Sequence, residues 1–204
     1  MQHSLLNTEE YNQIIHQWNA TERNYPKHQS INRLFREQVK KTPQATALID
    51  GEEKISYHEL NQLKNKIANY LILNHCKDGQ PIAVKLEHTK YLIATLLAVK
   101  SIGCIYVSLD VATPVSRVDY IMQDSESKFL FDEYLLKKSL KEISLQADEL
   151  LDAEKIADRV DQIECIIYTS GSTGNPKGVK INNVGIMNRL HWMWNKYPFQ
   201  KNEV

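Results

Sequence analysis

The sequence predicts an α/β fold built around a largely parallel sheet. Short apolar runs with strand character alternate with longer segments in which apolar residues recur at helical spacing, and this alternation runs from Ser30 to Trp194. Strands that are separated by helices pair most readily in parallel, because each helix returns the chain to the same end of the sheet. Forty-two per cent of the 204 residues are hydrophobic, which is enough for a sizeable core.

The first thirty residues differ from the rest of the chain. They are polar and predict a helix, TEEYNQIIHQW, followed by an irregular linker. Asn7 or Thr8 is the expected N-cap, because acidic residues fill the turn that follows. We therefore divide the chain into an N-terminal helix and linker, residues 1–30, and one larger unit, residues 31–204.

The larger unit opens with two helices that enclose a hairpin. Ser30 is positioned to cap the helix INRLFREQVKKT, and ATALID–GEE–KISY predicts a hairpin with Asp50-Gly51 as its turn. Ser56 and Glu59 form the pattern of a capping box, in which each side chain bonds the backbone of the other residue. The helix that follows has its apolar stripe at Leu60, Leu63, Ile67, Tyr70 and Leu71.

The remaining elements are assigned in chain order by the same patterns. The predicted strands are PIAVKL, CIYVSLD, KFLFD, ECIIYT and GVKI, and the predicted helices are KYLIATLLAVKSIG, PVSRVDYIMQDS and a last one from Asn183 to Trp194. Gly103 is expected to close the first of these helices, and the last is expected to bury Trp192 and Met193. Residues 132–161 match neither pattern well enough for an assignment.

Composition argues against several classes of function. Lys plus Arg and Asp plus Glu number 25 each, so no net charge favours nucleic acid or an anionic membrane surface. The aromatic stretch HWMWNKYPF could in principle stack on bases, but no basic groove accompanies it. The N-terminus lacks the pattern of a secretory signal and no apolar run is long enough for a membrane span, so the expected location is the cytoplasm.

The cysteines and histidines predict neither a disulfide nor a metal site. Cys76, Cys104 and Cys165 are far apart in apolar surroundings, so we expect them to be buried thiols in a reducing compartment. The seven histidines are scattered and no HxxxH or HExxH pattern occurs. No metal ligands are therefore assigned to this chain.

The stretch YTSGSTGNPKG, residues 168–178, has the composition of a phosphate-binding loop. Three glycines allow main-chain N–H groups to converge on an anion, while hydroxyls and Lys177 add further donors. The stretch is not a Walker loop, because Pro176 precedes Lys177 and Gly178 follows it, and it lacks the GxGxxG fingerprint. The alternative is a polar loop that merely joins two strands.

The full string YTSGSTGNPKGV resembles the phosphate-binding signature of the adenylate-forming superfamily. ISYHELN and LLAVKSIGCIYVSLDVATPVSRVDYIMQDSE resemble the first two motifs of nonribosomal peptide synthetase adenylation domains. WNATERNYP, with the helix after it, resembles their linker and first helix. The resemblance extends from about Leu5 onward and implies the N-terminal portion of the large subdomain of an adenylate-forming enzyme, which is incomplete here.

The resemblance implies a reaction in two steps. A carboxylate reacts with ATP to give an acyl-adenylate and pyrophosphate, and the acyl group then passes to a carrier-protein thiol. The implied ATP-binding residues are Thr169, Ser170, Gly171, Ser172, Thr173, Gly174, Lys177 and Gly178. The residues that bind adenine and Mg²⁺ and form the amino-acid pocket belong to later motifs, so no complete catalytic set is expected in this chain.

The implied partners follow from the same family. They are ATP, an amino-acid substrate and a peptidyl carrier domain that bears phosphopantetheine, and a condensation domain upstream is compatible with the linker. Two alternatives stay open. One is a fragment of an acyl- or aryl-CoA ligase, and the other is a truncated remnant or interaction module without activity of its own.

The chain departs from the family pattern at several positions. Ser101-Ile102-Gly103 replaces the usual Lys/Ala-Ala-Gly, Ser108 stands where Pro is usual, and Asn183 stands where the family often has His. The motif residues Tyr57, Glu59, Tyr106 and Arg117 are interpreted mainly as structural, because buried Tyr and Arg more often satisfy hydrogen bonds than contact substrate.

Overall fold

The structure, a computed structural model, describes residues 6–150, 160–170, 175–200 and 203. The helices are α1 (Thr8–Tyr11), α2 (Ile31–Lys41), α3 (Tyr57–Leu73), α4 (Lys90–Ser101), α5 (Val115–Asp124), α6 (Glu133–Ser144) and α7 (Asn183–Lys196). The strands are β1 (Thr46–Asp50), β2 (Glu53–Ser56), β3 (Pro81–Lys85), β4 (Ile105–Ser108), β5 (Phe129–Asp132), β6 (Ile163–Thr169) and β7 (Lys177–Asn182). Helix α1 continues into a π-helical segment, Asn12–Gln17.

Five strands form one mixed sheet in the order β5-β3-β4-β6-β7. The first four are mutually parallel, and β7 pairs with β6 in the antiparallel sense. This confirms the predicted α/β class with a largely parallel sheet. The antiparallel edge arises because the loop after β6 leads straight into a strand without a crossover helix.

The predicted hairpin is a separate two-stranded sheet of β1 and β2. Asp50 lies opposite Glu53, so the loop residues are Gly51 and Glu52, one position later than the expected Asp50-Gly51. Gly51 has φ of +61°, a conformation that an L-residue with a side chain adopts at a cost.

Apolar side chains cover both faces of the main sheet. On one face, helices α3, α4 and α6 pack over Ile82 and Val84 of β3 and Phe131 of β5. On the other face, Val118 and Ile121 of α5 pack with their strand neighbours in a second cluster. The sheet is thus a middle layer between helices, and α4 and α5 lie on opposite sides of it.

The predicted helix starts agree with the observed caps. Asn7 and Glu10 form a capping box at α1, and the Ser30 hydroxyl accepts from the Arg33 amide at 3.2 Å. At α3, the Ser56 amide donates to the Glu59 carboxylate at 2.8 Å. At α6, the Asp132 carboxylate accepts from the Leu135 amide at 2.8 Å, although the sequence pattern alone did not reveal that helix.

The expected burial of Trp192 and Met193 is wrong. They are 49% and 40% exposed, whereas Met187 on the same helix is fully buried. His191 and Trp194 are half-buried, so α7 turns the face that contains residues 187, 191 and 194 toward the rest of the chain. Residues 192 and 193 lie on the opposite side of the helical wheel from these positions and therefore face outward.

The cysteines are free thiols, and two of the three are buried as expected. Cys76 and Cys104 are buried, and Cys165 is half-buried. Burial raises the pKa of the Cys76 thiol to about 11 and that of the Cys104 thiol to about 12, so both stay protonated at neutral pH.

Within the described ranges, no helix combines the length and the apolar character that a bilayer crossing requires.

Candidate phosphate-binding site

The residues on either side of the glycine-rich loop face each other across two strands. Thr169 is the last residue of β6, Lys177 is the first of β7, and the two are paired in the antiparallel register. Side chains at directly opposite positions project to the same side of a ladder, with Cβ atoms about 5 Å apart. A hydroxyl and an ammonium group therefore stand together where the loop leaves the sheet.

The structure describes only part of the predicted loop. Thr169, Ser170, Lys177 and Gly178 are described, and the first three are exposed at the end of the sheet, as is the main chain of Gly178. Gly171, Ser172, Thr173 and Gly174 lie outside the described residues.

The loop begins next to a crevice at the carboxyl ends of two parallel strands. Ser108 of β4 pairs with Ile167 of β6, so β4 and β6 end side by side. A cavity of about 440 Å³ lies there, and its lining includes Asp110, Thr113, Arg117 and, from β6, Tyr168. The chain crosses from the α4 face to the α5 face at β4, and crevices at such a crossing are the usual ligand sites of open α/β sheets.

Basic side chains and a tight turn shape this crevice. The Lys85 ammonium group donates to the Thr113 carbonyl at 2.8 Å, and the Asp110 carboxylate accepts from the Ala112 amide at 2.7 Å. Arg117, in the first turn of α5, lines the cavity and is exposed. Contrary to what its structural interpretation assumed, Arg117 is not buried: it faces solvent because the core-facing positions of α5 are Val118 and Ile121.

Tyr168 connects the loop to helix α5. Its hydroxyl donates to the Asp124 carboxylate at 2.6 Å, and the Tyr120 hydroxyl of the same helix approaches the Pro176 carbonyl at 3.3 Å. Tyr168 also lies opposite Gly178 in the β6–β7 register. Sequence analysis did not predict the contacts of Asp124 and Tyr120. The only indication in the sequence was that both residues lie in the second motif.

The other motif residues are structural in this chain. Glu59 belongs to the α3 capping box, and its hydrogen bonds to the Ser56 backbone and hydroxyl lower the pKa of its carboxyl group. The Tyr57 ring lies 6.1 Å from that of Phe35, and Tyr106 is buried in the core. Asn183 is fully buried and its side-chain amide donates to the Gln29 carbonyl at 2.8 Å, so it holds the N-terminal linker.

The described donors are the hydroxyls of Thr169 and Ser170 and the ammonium group of Lys177 at the loop, and the guanidinium group of Arg117 in the crevice. Groups of these kinds suit phosphate oxygens. Within the described ranges, no group of three His, Cys, Asp or Glu side chains could hold a metal ion. The protein groups that bind Mg²⁺ are mainly carboxylates. The described side chains at the loop provide hydroxyls and a cation but no carboxylate, so they do not form a Mg²⁺ site.

Comparisons with known proteins identify the family. The family model for "AMP-binding enzyme" matches residues 35–204. Bacitracin synthase 3 from Bacillus licheniformis is 33% identical over 197 residues, and gramicidin S synthase 2 from Brevibacillus brevis is 32% identical over 204. The alignments cover 93% and 96% of this chain but 3% and 5% of those proteins.

Solved structures share the fold. The N-terminal subdomain of Klebsiella oxytoca NpsA, in complex with 3-hydroxyanthranilyl-AMSN, superposes with a TM-score of 0.65 at 24% identity, over 76% of this chain and 40% of that one. Bacillus subtilis o-succinylbenzoate CoA synthetase, in complex with its acyl-adenylate intermediate, gives a TM-score of 0.72 at 20% identity, over 85% and 47% of the two chains. At these identities the similarity establishes the fold alone.

Proposed function

The chain belongs to the family of AMP-binding enzymes, and we propose that it is the N-terminal segment of an ATP-dependent adenylation domain that activates an amino acid. The observation that carries the proposal is the pairing of Thr169 with Lys177 where the YTSGSTGNPKGV loop leaves the sheet. The peptide synthases among its relatives support an amino acid as the substrate.

In this proposal the loop binds the phosphates of ATP. Amide groups and the hydroxyls of Thr169, Ser170, Ser172 and Thr173 contact phosphate oxygens, and Lys177 neutralises charge on the leaving pyrophosphate. Electrostatic stabilisation of this kind supplies most of the rate enhancement in phosphate chemistry, because the donors are already oriented when the charge develops. The amino-acid pocket and the ligands of Mg²⁺ are proposed to lie outside this chain.

The acceptor in the second step is proposed to be the phosphopantetheine thiol of a peptidyl carrier domain. The competing acceptor is free coenzyme A, as in an acyl- or aryl-CoA ligase. The linker WNATERNYP, which resembles that of the peptide synthetases, favours the carrier domain. Adenylate formed by the full-length protein should therefore load a carrier domain and leave coenzyme A unacylated, and the reverse result would favour the ligase.

The test of the first step is exchange of pyrophosphate into ATP. The full-length protein should catalyse exchange that depends on one or a few amino acids, and absence of exchange with all of them would contradict the proposal. The isolated 204-residue chain should catalyse none, because the proposed substrate pocket lies outside it. Turnover by the isolated chain would show that this division of the site is wrong.

The contribution of Lys177 can be measured against a lysine on the same strand. A charge-assisted contact to phosphate is worth about 1.5–3 kcal/mol, so Lys177→Ala should slow adenylation by about ten- to a hundredfold. Lys177→Arg should rescue only part of this, because a planar guanidinium does not replace a compact ammonium group. Lys180 is also exposed on β7 but projects to the other side of the strand, so Lys180→Ala should leave the rate near wild type. Equal rates for the two alanine variants would show that Lys177 does not contribute to phosphate binding.

A further inference from the structure

We propose that Asp124 positions the phosphate loop from helix α5, acting through the hydroxyl of Tyr168. This inference rests on the proposed function in so far as the loop binds phosphate. The bond that carries it joins the Tyr168 hydroxyl to the Asp124 carboxylate at 2.6 Å, across 44 residues of sequence.

The Tyr168 ring lies where both ends of the loop meet. Tyr168 immediately precedes Thr169, and its Cζ atom would lie 3.0 Å from a Cβ atom added to Gly178. The ring is thus seated against the main chain of β7, one residue after Lys177. A shift of this ring would move the Thr169 hydroxyl and the Lys177 main chain together, which are the paired residues of the proposed site.

Helix α5 meets the loop at a second point. The Tyr120 hydroxyl lies 3.3 Å from the carbonyl of Pro176, the residue before Lys177. This distance is long for a hydroxyl hydrogen bond, so the contact is weaker than the one to Asp124. The two contacts connect one helix to both ends of the loop, to Tyr168 of β6 and to Pro176 just before β7.

Asp124 is not required to hold α5 on the sheet. Val118 and Ile121 of this helix are 5% and 2% exposed and provide its packing, whereas Asp124 is exposed. Partial burial and the bond to Asp124 raise the pKa of the Tyr168 hydroxyl. The hydroxyl therefore remains a donor throughout the neutral range. Removal of the Asp124 carboxylate should free the Tyr168 ring without opening the core.

The experiment compares Asp124→Ala, Asp124→Asn and Tyr168→Phe with Asp119→Ala in the full-length protein. Asp119 is an exposed aspartate on the same helix and serves as the control. The first readout is amide hydrogen exchange of peptides that cover residues 165–180, which does not require activity. Loss of one hydrogen bond should speed exchange there by roughly three- to tenfold in Asp124→Ala and Tyr168→Phe, and not in Asp119→Ala.

The second readout is the KM for ATP in the pyrophosphate exchange assay. Asp124→Ala should raise this KM by a similar factor and leave the KM for the amino acid unchanged. Asp124→Asn should lie between Asp124→Ala and wild type, because its carboxamide oxygen can still accept the Tyr168 hydroxyl.

The outcomes separate this inference from the proposed function. If the wild-type protein catalyses no exchange of pyrophosphate, the proposed function fails and hydrogen exchange still tests the positioning. Unchanged hydrogen exchange at 165–180 in Asp124→Ala overturns the inference, whether or not the enzyme is active. Faster exchange that extends equally to β3 and β4 also overturns it, because Asp124 would then stabilise the whole fold and not the loop.

Discussion

At the scale of single residues, Gly178 is confined by its neighbours on β6. A Cβ atom at this position would lie 3.0 Å from the Tyr168 ring and 3.1 Å from a methyl group of Ile166. Both neighbours are held in place, Tyr168 by Asp124 and Ile166 by the core cluster under α5. A side chain here would therefore require the Tyr168 ring or the Ile166 methyl group to give way by a few tenths of an ångström.

We expect Gly178→Ala to displace the Tyr168 ring. Overpacking of this kind costs about 1–3 kcal/mol of unfolding free energy, and chemical denaturation should show that loss together with a lower rate of adenylation. Gly185→Ala is the control. Its Cβ would meet only the Asn182 carboxamide oxygen at 3.3 Å, and alanine is favoured inside helix α7 by up to about 1 kcal/mol. If the two variants are equally stable, Tyr168 has more freedom to move than its contacts indicate.

At the scale of elements, a buried lysine of helix α3 lies at the interface with α2. Lys64 is 6% exposed and lines a cavity of about 470 Å³ together with Arg36 and Lys40 of α2. Its ammonium group lies 5.8 Å from the centre of the Phe35 ring, and among the described residues no carboxylate forms an ion pair with it. Burial, with a smaller contribution from the charge of Arg36, lowers its pKa to about 8.

This shift predicts how stability depends on pH. Because the pKa of Lys64 is lower in the folded protein than its ordinary value of 10.5, the folded state releases this proton first as pH rises. The cost of the buried charge is therefore fully present below about pH 8, and stability should increase between about pH 8 and pH 10.5.

Lys64→Met should remove both the cost and this part of the pH dependence. We expect a gain of about 1–3 kcal/mol in unfolding free energy at pH 7, measured by denaturation over a range of pH. Lys66→Met provides the control, because Lys66 is on the same helix but pairs with Asp148 at 3.1 Å and is more exposed. A pH profile identical to that of wild type would show that the Lys64 charge is well solvated in the cavity.

At the scale of the whole molecule, one buried ion pair joins helix α4 to the sheet. The Lys100 ammonium group lies 2.6 Å from the Glu164 carboxylate of β6, and the two side chains are 6% and 10% exposed. The contact is close but poorly angled for a hydrogen bond. Burial lowers the pKa of Lys100, and the Glu164 charge only partly opposes this effect. The pair links residues 64 positions apart in the chain and holds β6, which leads into the loop.

Removing one partner of this pair should destabilise the fold strongly. Glu164→Ala leaves an unpaired buried ammonium group, which costs about 3–5 kcal/mol in comparable sites, whereas the double variant Lys100→Met/Glu164→Leu should be close to wild type. Glu53→Ala breaks the more exposed pair with Lys90 and should cost less than about 1 kcal/mol. Thermal and chemical denaturation of the three variants measure this ranking, and a cost for Glu164→Ala no larger than that for Glu53→Ala would contradict it.

The sequence by itself determined the class of fold and the position of most elements, and it is the source of the phosphate-binding prediction for the loop. Local patterns were sufficient to predict the caps at Ser30 and Ser56 and the strand before the loop, because each depends on residues that are close together in the sequence. The family could be identified for the same reason, because its motifs are contiguous strings such as YTSGSTGNPKGV.

Only the tertiary structure decided which distant residues meet. Strand order, the bond between Asp124 and Tyr168, and the pair of Lys100 and Glu164 all join separate segments, and no periodicity within one segment specifies its partner. Helix α7 shows the same limit, since aromatic or apolar residues occur around much of its circumference and the periodicity did not identify the face that docks. Packing selected the face that contains Met187, His191 and Trp194, because burial free energy depends on the surface that each face meets as well as on its own residues.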